Sequence, residues 1–584
     1  MVVVPPPTPS TTKKTTILDA ILRRIRRNEE QLFLILTLII GVVVGLTIVA
    51  FVVLTERVGL RFYPEGAQPW RRLLMPVVGS LLTGYLLYRY FPNARGSGIP
   101  QTKTALFVGN GRISLRTVFG KFLCSSTSLA SGIALGREGP SVHIGAGIAS
   151  VLGRRLHLGP RKVESLLPVG AAAALAAAFN TPIAAVLFAL EEVMGDLHAP
   201  LLGSVVLSSA TSWMVLHLVL GDEPLFHVPP YSIVNPLELG IYAVLGIIGG
   251  LVSVWFVKMI LWMRPRFLAM PEKTKWIQPA AGGLLVGILA WFVPQVLGVG
   301  YTFVGDALNG RMAFQLMALL VILKVLATTS SYASGNAGGI FGPSLFIGAM
   351  TGGAVGSLAH AILPASTASP GAYALVGMGT AFAGIVRVPL TSVIMIFEMT
   401  RDYSIIVPLM ISNLVSFYIS YRLQRQPIYE ALALQDGIHL PSHASQRATR
   451  QMRVRAAMRT PEFTLVASMN PTDAIRSLKQ RGVAQLPVTE GVRFLGMLSS
   501  AELSKAPPNV REIRELIDAQ FPHLHPDHDL SIALHRMGEA KLQELPVVSR
   551  RDIHTLEGVV ALDDVLRFYG LDRAQLTALD QPDS

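Results

Sequence analysis

Residues 131–147, SGIALGREGPSVHIGAG, and residues 332–350, YASGNAGGIFGPSLFIGAM, share one framework: Gly139, Pro140, Ser141, Ile144 and Gly145 recur as Gly342, Pro343, Ser344, Ile347 and Gly348 at an offset of 203. Both stretches are apolar, and Gly and Pro cut both into pieces too short to cross a bilayer alone. Residues 94–110 have the same character. At membrane depth such backbone survives only where protein covers it or where it lines a water-filled cavity, so broken helices of this kind mark a transport pathway. The duplication continues outward in the same order. Val169, Gly170, Ala174, Ala176, Pro182, Val186 and Glu191 recur as Val376, Gly377, Ala381, Ala383, Pro389, Val393 and Glu398 at an offset of 207. Pro92, Gly96 and Gly98 recur as Pro294, Gly298 and Gly300 at an offset of 202. One Gly- and Ala-rich block alone would align by chance; three in colinear order establish a duplicated transmembrane fold. Such repeats in transporters often have inverted topology, with the ion site near the midplane where the halves meet.

Composition agrees. Of 584 residues, 51% are hydrophobic and 15% charged, against about 25% charged in an average soluble domain. The charges are unevenly spread: residues 445–584 carry 36, 18 of each sign, whereas the first 444 residues carry 51. The net charge of +13 therefore lies wholly in the membrane part, as an excess of Lys and Arg in short cytoplasmic loops would produce. Disordered, collagenous and nucleic-acid-coating chains are excluded, and no nucleic-acid partner is expected. The single cysteine, Cys124, excludes an intrachain disulfide and a Cys-based zinc site.

Leu32 to Leu54 is an uncharged apolar run long enough to span, and further spans are expected near 71–90, 166–190, 200–220, 237–262, 277–298, 312–330, 371–397 and 404–421. A basic stretch including Arg23, Arg24, Arg26 and Arg27 precedes the first span without a small-residue cleavage site, which predicts an uncleaved helix with a cytoplasmic N-terminus. The organisation expected is an arm with an amphipathic helix over 1–30, a transmembrane domain over 31–430 in repeats of about 31–220 and 237–430, and a linker over 431–452. Two small α+β units over 453–507 and 513–571 and a tail over 572–584 complete it. Each unit reads strand, helix, strand, strand, helix, with Leu486-Pro487-Val488 in one matched by Leu545-Pro546-Val547 in the other.

The differences between the repeats carry the chemistry. At matched positions Ser97 faces Val299, Glu138 faces Phe341, and Glu192 faces Met399. Ionisable residues within membrane segments mark ion and proton pathways, so Ser97, Glu138 and Glu192 are the candidates for handling both. Ser141 and His143 do not suggest a hydrolase, being two residues apart with no apparent oxyanion loop or second catalytic histidine. A membrane-tethered sensor acting through the tail is the remaining non-transport reading.

Gly96-Ser97-Gly98-Ile99-Pro100, Gly136-Arg137-Glu138-Gly139-Pro140, Gly338-Gly339-Ile340-Phe341-Gly342-Pro343 and Pro427-Ile428-Tyr429 occur in this order, together with Phe179-Asn180-Thr181-Pro182 leading to Glu191-Glu192. In these motifs the chain resembles the CLC family of chloride channels and chloride/proton exchangers, and its tail resembles a tandem pair of CBS domains. The resemblance covers nearly the whole chain. It implies a polytopic α-helical membrane protein with an inverted repeat of broken, tilted helices, a cytoplasmic α+β CBS pair, and a homodimer in which each subunit has its own anion pore. The cell's inner membrane, with both termini cytoplasmic, is the expected location.

What the resemblance implies for single residues fits the physics of a buried anion. A full positive charge would hold chloride too tightly for turnover, whereas helix N-termini offer partial charge and glycine lets the backbone approach. Chloride ligands are expected from the Ser97 and Tyr429 hydroxyls, from the Gly98-Ile99 segment, and from Gly339, Ile340 and Phe341, chiefly the Ile340 and Phe341 amides. Glu138 is expected to be gate and proton carrier at once, since its carboxylate mimics chloride and leaves when protonated. Glu192, at the end of an apolar run where the pathway meets the cytoplasm, matches the exchangers' inner proton relay; channel members commonly have an apolar residue there. Arg137 reads as a structural or vestibule charge, and Glu191, which recurs as Glu398, as scaffold. The function expected is secondary-active chloride/proton antiport, with a passive chloride channel as the alternative, and no enzyme activity, metal or cofactor. The CBS pair offers Ser499 with Glu502, an acid one methylene too long for the usual ribose contact, and Asp564 beside Ala561, where the hydroxyl is missing. Nucleotide binding there is expected to be weak or absent.

Overall fold

A computed structural model of the chain describes residues 29–64, 68–197, 201–438, 440, 453–507, 510–518, 521–540 and 542–568. The N-terminal arm with its amphipathic helix, most of the linker and the tail lie outside the described residues. Two units divide at Leu440.

The first unit is helical. In chain order it has α1 (Glu29–Phe62), α2 (Pro69–Arg89), α3 (Ile99–Phe107), α4 (Leu115–Ala130), α5 (Glu138–Arg155), α6 (Pro160–Phe179), α7 (Pro182–Phe188) and α8 (Leu202–Leu220). The series then repeats as α9 (Glu238–Leu268), α10 (Gln278–Phe292), α11 (Tyr301–Leu308), α12 (Phe314–Ala333), α13 (Phe341–Ile362), α14 (Pro370–Val386), α15 (Pro389–Thr400) and α16 (Ile406–Leu423), before a final α17 (Ile428–Gln435). Among the described residues seven helices are long and apolar enough to cross a membrane, which makes the chain a multi-pass membrane protein.

Two reciprocal contacts fix the repeats as inverted. Gly136 and Gly339 are equivalent by the 203-residue offset, and they form an antiparallel bridge in which each amide donates to the other's carbonyl at 2.7 Å. The chain runs in opposite directions through equivalent residues, so α5 and α13 leave the bridge oppositely. Glu191 accepts from the Leu390 and Thr391 amides at 3.4 and 2.8 Å at the start of α15, and Glu398 accepts from Ile183 and Ala184 at 3.0 and 2.7 Å at the start of α7. Each carboxylate thus caps the N-terminus of the helix equivalent to its own, where unpaired amides and the dipole favour negative charge.

Several expected spans are divided differently. The runs 166–190 and 371–397 each break into two helices, at Asn180 (φ 60°) and Arg387 (φ 69°). A left-handed residue ends each first helix, and Pro182 or Pro389 begins the next. Residues 332–350 are not irregular throughout: the irregular entry ends at Ile340, and α13 then runs for 22 residues, long enough to cross. Helix α4 escaped the hydropathy reading because Lys121 and a run of Ser and Thr lower its apolar content.

In the second unit, α18 (Val454–Ala457) is followed by β1 (Leu465–Val466), α19 (Pro471–Arg481), β2 (Gln485–Glu490), β3 (Arg493–Ser499) and α20 (Ser500–Ser504). Then come α21 (Leu530–Ala540), β4 (Glu544–Val548), β5 (Leu556–Ala561) and α22 (Leu562–Phe568). Strand β1 pairs parallel with β2, and β2 antiparallel with β3, placing Pro487 opposite Met497; β4 pairs antiparallel with β5, placing Pro546 opposite Val559. The first strand expected in the second half is reduced to a single bridge, Leu524 to Val547. Packing crosses the boundaries drawn from sequence. Val454 and Ala457 join the core of the second half with Leu524 and Leu545, while Ile513 completes the first with Leu465 and Leu498.

Candidate anion and proton site

Glu138 is the first residue of α5 and is fully buried. Its carboxylate accepts a hydrogen bond from the Tyr301 hydroxyl and another from the Gly342 amide, 3.2 Å away, in the first turn of α13. Glycine makes this seat possible. A Cβ at Gly342 would stand 3.2 Å from both carboxylate oxygens, and one at Gly136 would overlap Oε2. An ionised group lying on a helix N-terminus is placed where an anion would bind. Arg137 points elsewhere, to Glu56 at 2.6 Å.

Ser97 and Tyr429 are fully buried, and neither hydroxyl has a hydrogen-bond partner among the described residues. A buried hydroxyl left unpaired costs about 1–3 kcal/mol, so two such donors fit a site built for an anion. The Ser97 hydroxyl lies against α5: a Cβ at Gly139 would come within 2.6 Å of its oxygen. Tyr429 is on α17, which packs on α3 just after the Ser97 loop. Gly98, at φ 107°, takes a conformation that only glycine adopts easily, and an added Cβ would meet the Gly139 carbonyl oxygen at 2.6 Å.

Two residues expected among the anion ligands are committed elsewhere. The Gly98 amide donates to the Gln101 side chain at 2.8 Å, and the Gly339 amide donates to Gly136. Both amides are taken by the chain itself in this structure. Ile99 and Phe341 open α3 and α13, where first-turn amides have no intrahelical acceptor; Ile340 is the residue before α13. The Phe341 ring packs 4.2 Å from that of Phe382 and 4.9 Å from that of Phe179, walling the site with apolar surface.

The sequence puts Glu192 at a cytoplasmic helix end; the structure buries it. It is 1% exposed, in a π-helical turn over Ala189–Met194, and its Oε1 lies 2.8 Å from Lys103 Nζ on α3. A π turn inserted in a helix frequently accompanies function.

Four residues went unremarked in the sequence. Tyr301 holds Glu138, and it occupies the position matched to Ile99 at the 202-residue offset. Lys103 holds Glu192. Lys121 donates to the carbonyls of Ala94 and Gly96 at 2.9 and 2.6 Å and so fixes the loop before Ser97. Lys324, its repeat partner, does the same to Val296 and Gly298 at 3.0 and 2.6 Å. A lysine recurring at the repeat offset inside apolar helices was the available signal for the last two. A cavity of about 550 Å³ reaches Gly96 and Pro100, and its walls include Arg95, Arg112, Arg154 and Arg264 against Asp436. Such a wall concentrates anions beside the Ser97 loop.

In the second unit Ser499 and Glu502 bind each other. The serine hydroxyl lies 2.6 Å from the carboxylate, which also accepts from the Ser499 amide at 2.8 Å, so the two form a helix-capping box. Asp564 accepts from the Ala561 amide at 3.3 Å and faces Arg459 at 3.4 Å, and Arg459 also binds Glu544 at 2.9 Å. All three candidate nucleotide ligands are therefore engaged within the chain. Calorimetry on the full-length protein should give no ATP, ADP or AMP dissociation constant below about 1 mM, a binding energy of roughly 4 kcal/mol; a micromolar value would reverse this reading.

Comparison with known proteins extends the local geometry to the whole chain. The voltage-gated chloride channel family matches residues 79–421, and CBS domains match residues 454–509 and 510–570. A ClcB-like chloride channel protein of Ralstonia nicotianae is 36% identical over 383 residues, covering 64% of this chain and 89% of its own length. The H(+)/Cl(-) exchange transporter ClcA of Vibrio campbellii is 34% identical over 354 residues, covering 60% of this chain and 76% of its own. The crystal structure of a slow cyanobacterial Cl−/H+ antiporter superposes with a TM-score of 0.63 at 27% identity, covering 71% of this chain and 99% of that one. With its inverted repeat, its carboxylate seated on a helix N-terminus and this match over most of the membrane unit, the chain belongs to the voltage-gated chloride channel family and carries a tandem pair of CBS domains.

Proposed function

We propose that the protein is a secondary-active antiporter that moves chloride across a membrane in exchange for protons. The observation that carries this reading is the seat of Glu138: an acidic side chain takes the Gly342 amide in the first turn of α13, while the Ser97 hydroxyl, unpaired among the described residues, lies against the next residue, Gly139. Ionised, the carboxylate competes with chloride for those donors. Protonated, it loses its attraction to the helix N-terminus, withdraws, and carries its proton with it. Chloride then occupies the place the carboxylate leaves, held by the Ser97 and Tyr429 hydroxyls and the first-turn amides near Ile340 and Phe341. One side chain thereby links the two ions in opposite directions. Glu192 supplies the second proton station. The exchanger names among the relatives and the solved antiporter support the same reading. The protein works as a homodimer in the cell's inner membrane, each subunit with its own pathway, and the CBS pair on the cytoplasmic side stabilises the assembly.

The deciding experiment is a reversal-potential measurement in proteoliposomes under a fixed chloride gradient and a varied pH gradient. An antiporter's reversal potential shifts with pH; a value indifferent to pH would make the protein a passive chloride channel, the alternative that the ClcB-like relative represents. Within the antiporter reading, Glu192→Gln should lower proton flux by at least about tenfold, equivalent to roughly 1.4 kcal/mol. Chloride flux should remain, because the anion path does not need the second station. Equal loss of both fluxes would give Glu192 a purely structural role.

A further inference from the structure

Lys103 is an ammonium group with no place in the anion path as described. It lies on α3, four residues beyond Ile99, and its side chain is 3% exposed; the Glu192 side chain is 2% exposed. Among the described residues Lys103 is the only ionic partner of Glu192, through a single hydrogen bond of 2.8 Å. An ion pair fixed for geometry alone gains from a bidentate guanidinium, which holds its proton under all conditions. A lysine instead presents one point donor on a flexible stem, and it can give up a proton when buried. Moving one proton along the existing bond turns two buried charges into two neutral groups, relieving the desolvation that burying both ions imposes.

We propose that Lys103 is the proton donor that loads Glu192. In this step the Nζ–H bond of the Lys103 ammonium breaks and an O–H bond forms at Glu192 Oε1, leaving a neutral amine and a neutral carboxylic acid. The acid passes its proton toward Glu138 and returns to carboxylate, and the amine is reprotonated from water. The proton that restores the ammonium enters from the 550 Å³ cavity, which Pro100, Gln101, Thr104 and Ala105 line on another face of the same short helix. Other titratable groups stand on the elements packed against α3. His143 on α5 binds the Thr102 hydroxyl at 2.9 Å, and Glu191 is engaged at α15. Arg161, Lys162 and Glu164 lie in the first turns of α6, and Tyr429 and Glu430 on α17. This proposal rests on the antiporter reading and adds the source of its inner proton.

Lys103→Arg tests it in proteoliposomes with chloride and proton fluxes recorded together. Arginine keeps the charge and the pairing to Glu192 and cannot release the proton, so a structural role would leave coupling intact. We expect chloride flux to persist and proton flux to fall at least tenfold; coupled proton flux at the wild-type ratio would overturn the proposal. Should the larger side chain abolish chloride flux as well, Lys103→Gln, which retains a hydrogen-bond donor without an exchangeable charge, takes its place. The same separation of fluxes is expected there, and either retained proton flux or loss of chloride flux in both variants would overturn it. The wild type is read first: absence of proton movement there would remove the antiporter reading itself, whereas a coupled wild type with a coupled Lys103→Arg removes only the role of Lys103.

Discussion

Glu138→Gln should abolish proton movement and leave a chloride flux that no longer responds to pH. The amide is nearly isosteric with the carboxylate, and its one oxygen can still accept from either Tyr301 or the Gly342 amide, so the seat at the start of α13 is preserved in shape. What disappears is charge. A neutral side chain gains nothing from the partial positive charge of a helix N-terminus, so it no longer competes with chloride there. Nor is an amide a titratable group, which removes both the carrier and the switch. The size of the effect is total for protons because the other repeat has no second copy of this carboxylate: the residue matched to Glu138 is Phe341, apolar and packed among Phe179, Phe188 and Phe382. Parallel recordings with chloride and pH electrodes on proteoliposomes would decide it. Proton uptake persisting in the variant, or chloride flux still rising with acidity, would remove Glu138 from the gate.

The sequence made the architecture legible because duplication leaves a trace that hydropathy alone does not. Offsets of 202, 203 and 207 align the halves, and the halves differ in polarity at Ser97, Glu138 and Glu192. The structure seats the Glu138 carboxylate on the Gly342 amide and, among the described residues, leaves the Ser97 and Tyr429 hydroxyls without partners, but it ties Glu192 to Lys103 instead of facing it to water. The misses have physical reasons. Hydropathy is blind to backbone handedness, so the breaks at Asn180 and Arg387 vanished inside single apolar runs. A glycine's amide partner is not written in the motif either: those of Gly98 and Gly339 donate to Gln101 and Gly136. Tyr301 and Lys103 were within reach of the same comparison, since they face Ile99 and Gly305 at the 202-residue offset. The crossing of Val454 and Ile513 between the CBS halves was not, because exchange of short segments between cores changes neither pattern nor composition.

The glycines that recur with the repeat predict the largest loss of folded protein. Gly348 on α13 and Gly377 on α14 bring their helices so close that a Cβ on either would overlap the other's carbonyl oxygen, and one on Gly348 would also stand 2.8 Å from the Ala381 Cβ. Gly145 and Gly170 repeat the arrangement between α5 and α6. Backbone is the obstacle at both crossings, so no rotamer change relieves the overlap, and the helices must separate. Separation at Gly348 propagates to the site, because it lies on the helix whose first turn carries Phe341 and Gly342, about two turns from the Glu138 carboxylate. Overpacking of a well-packed core costs typically 1–3 kcal/mol, and a β-branched residue against an immovable carbonyl belongs at or beyond the upper end of about 3 kcal/mol. Gly348→Val is therefore expected to yield little monodisperse protein in detergent and no chloride flux. Gly305→Ala on α11 is the control, since nothing lies within 4 Å of its added Cβ; replacing a helical glycine there should be neutral or stabilising by roughly 0.5–1 kcal/mol. If Gly348→Val instead purified as a monodisperse species transporting at the wild-type rate, the close crossing of α13 and α14 would not be what holds the anion site in register.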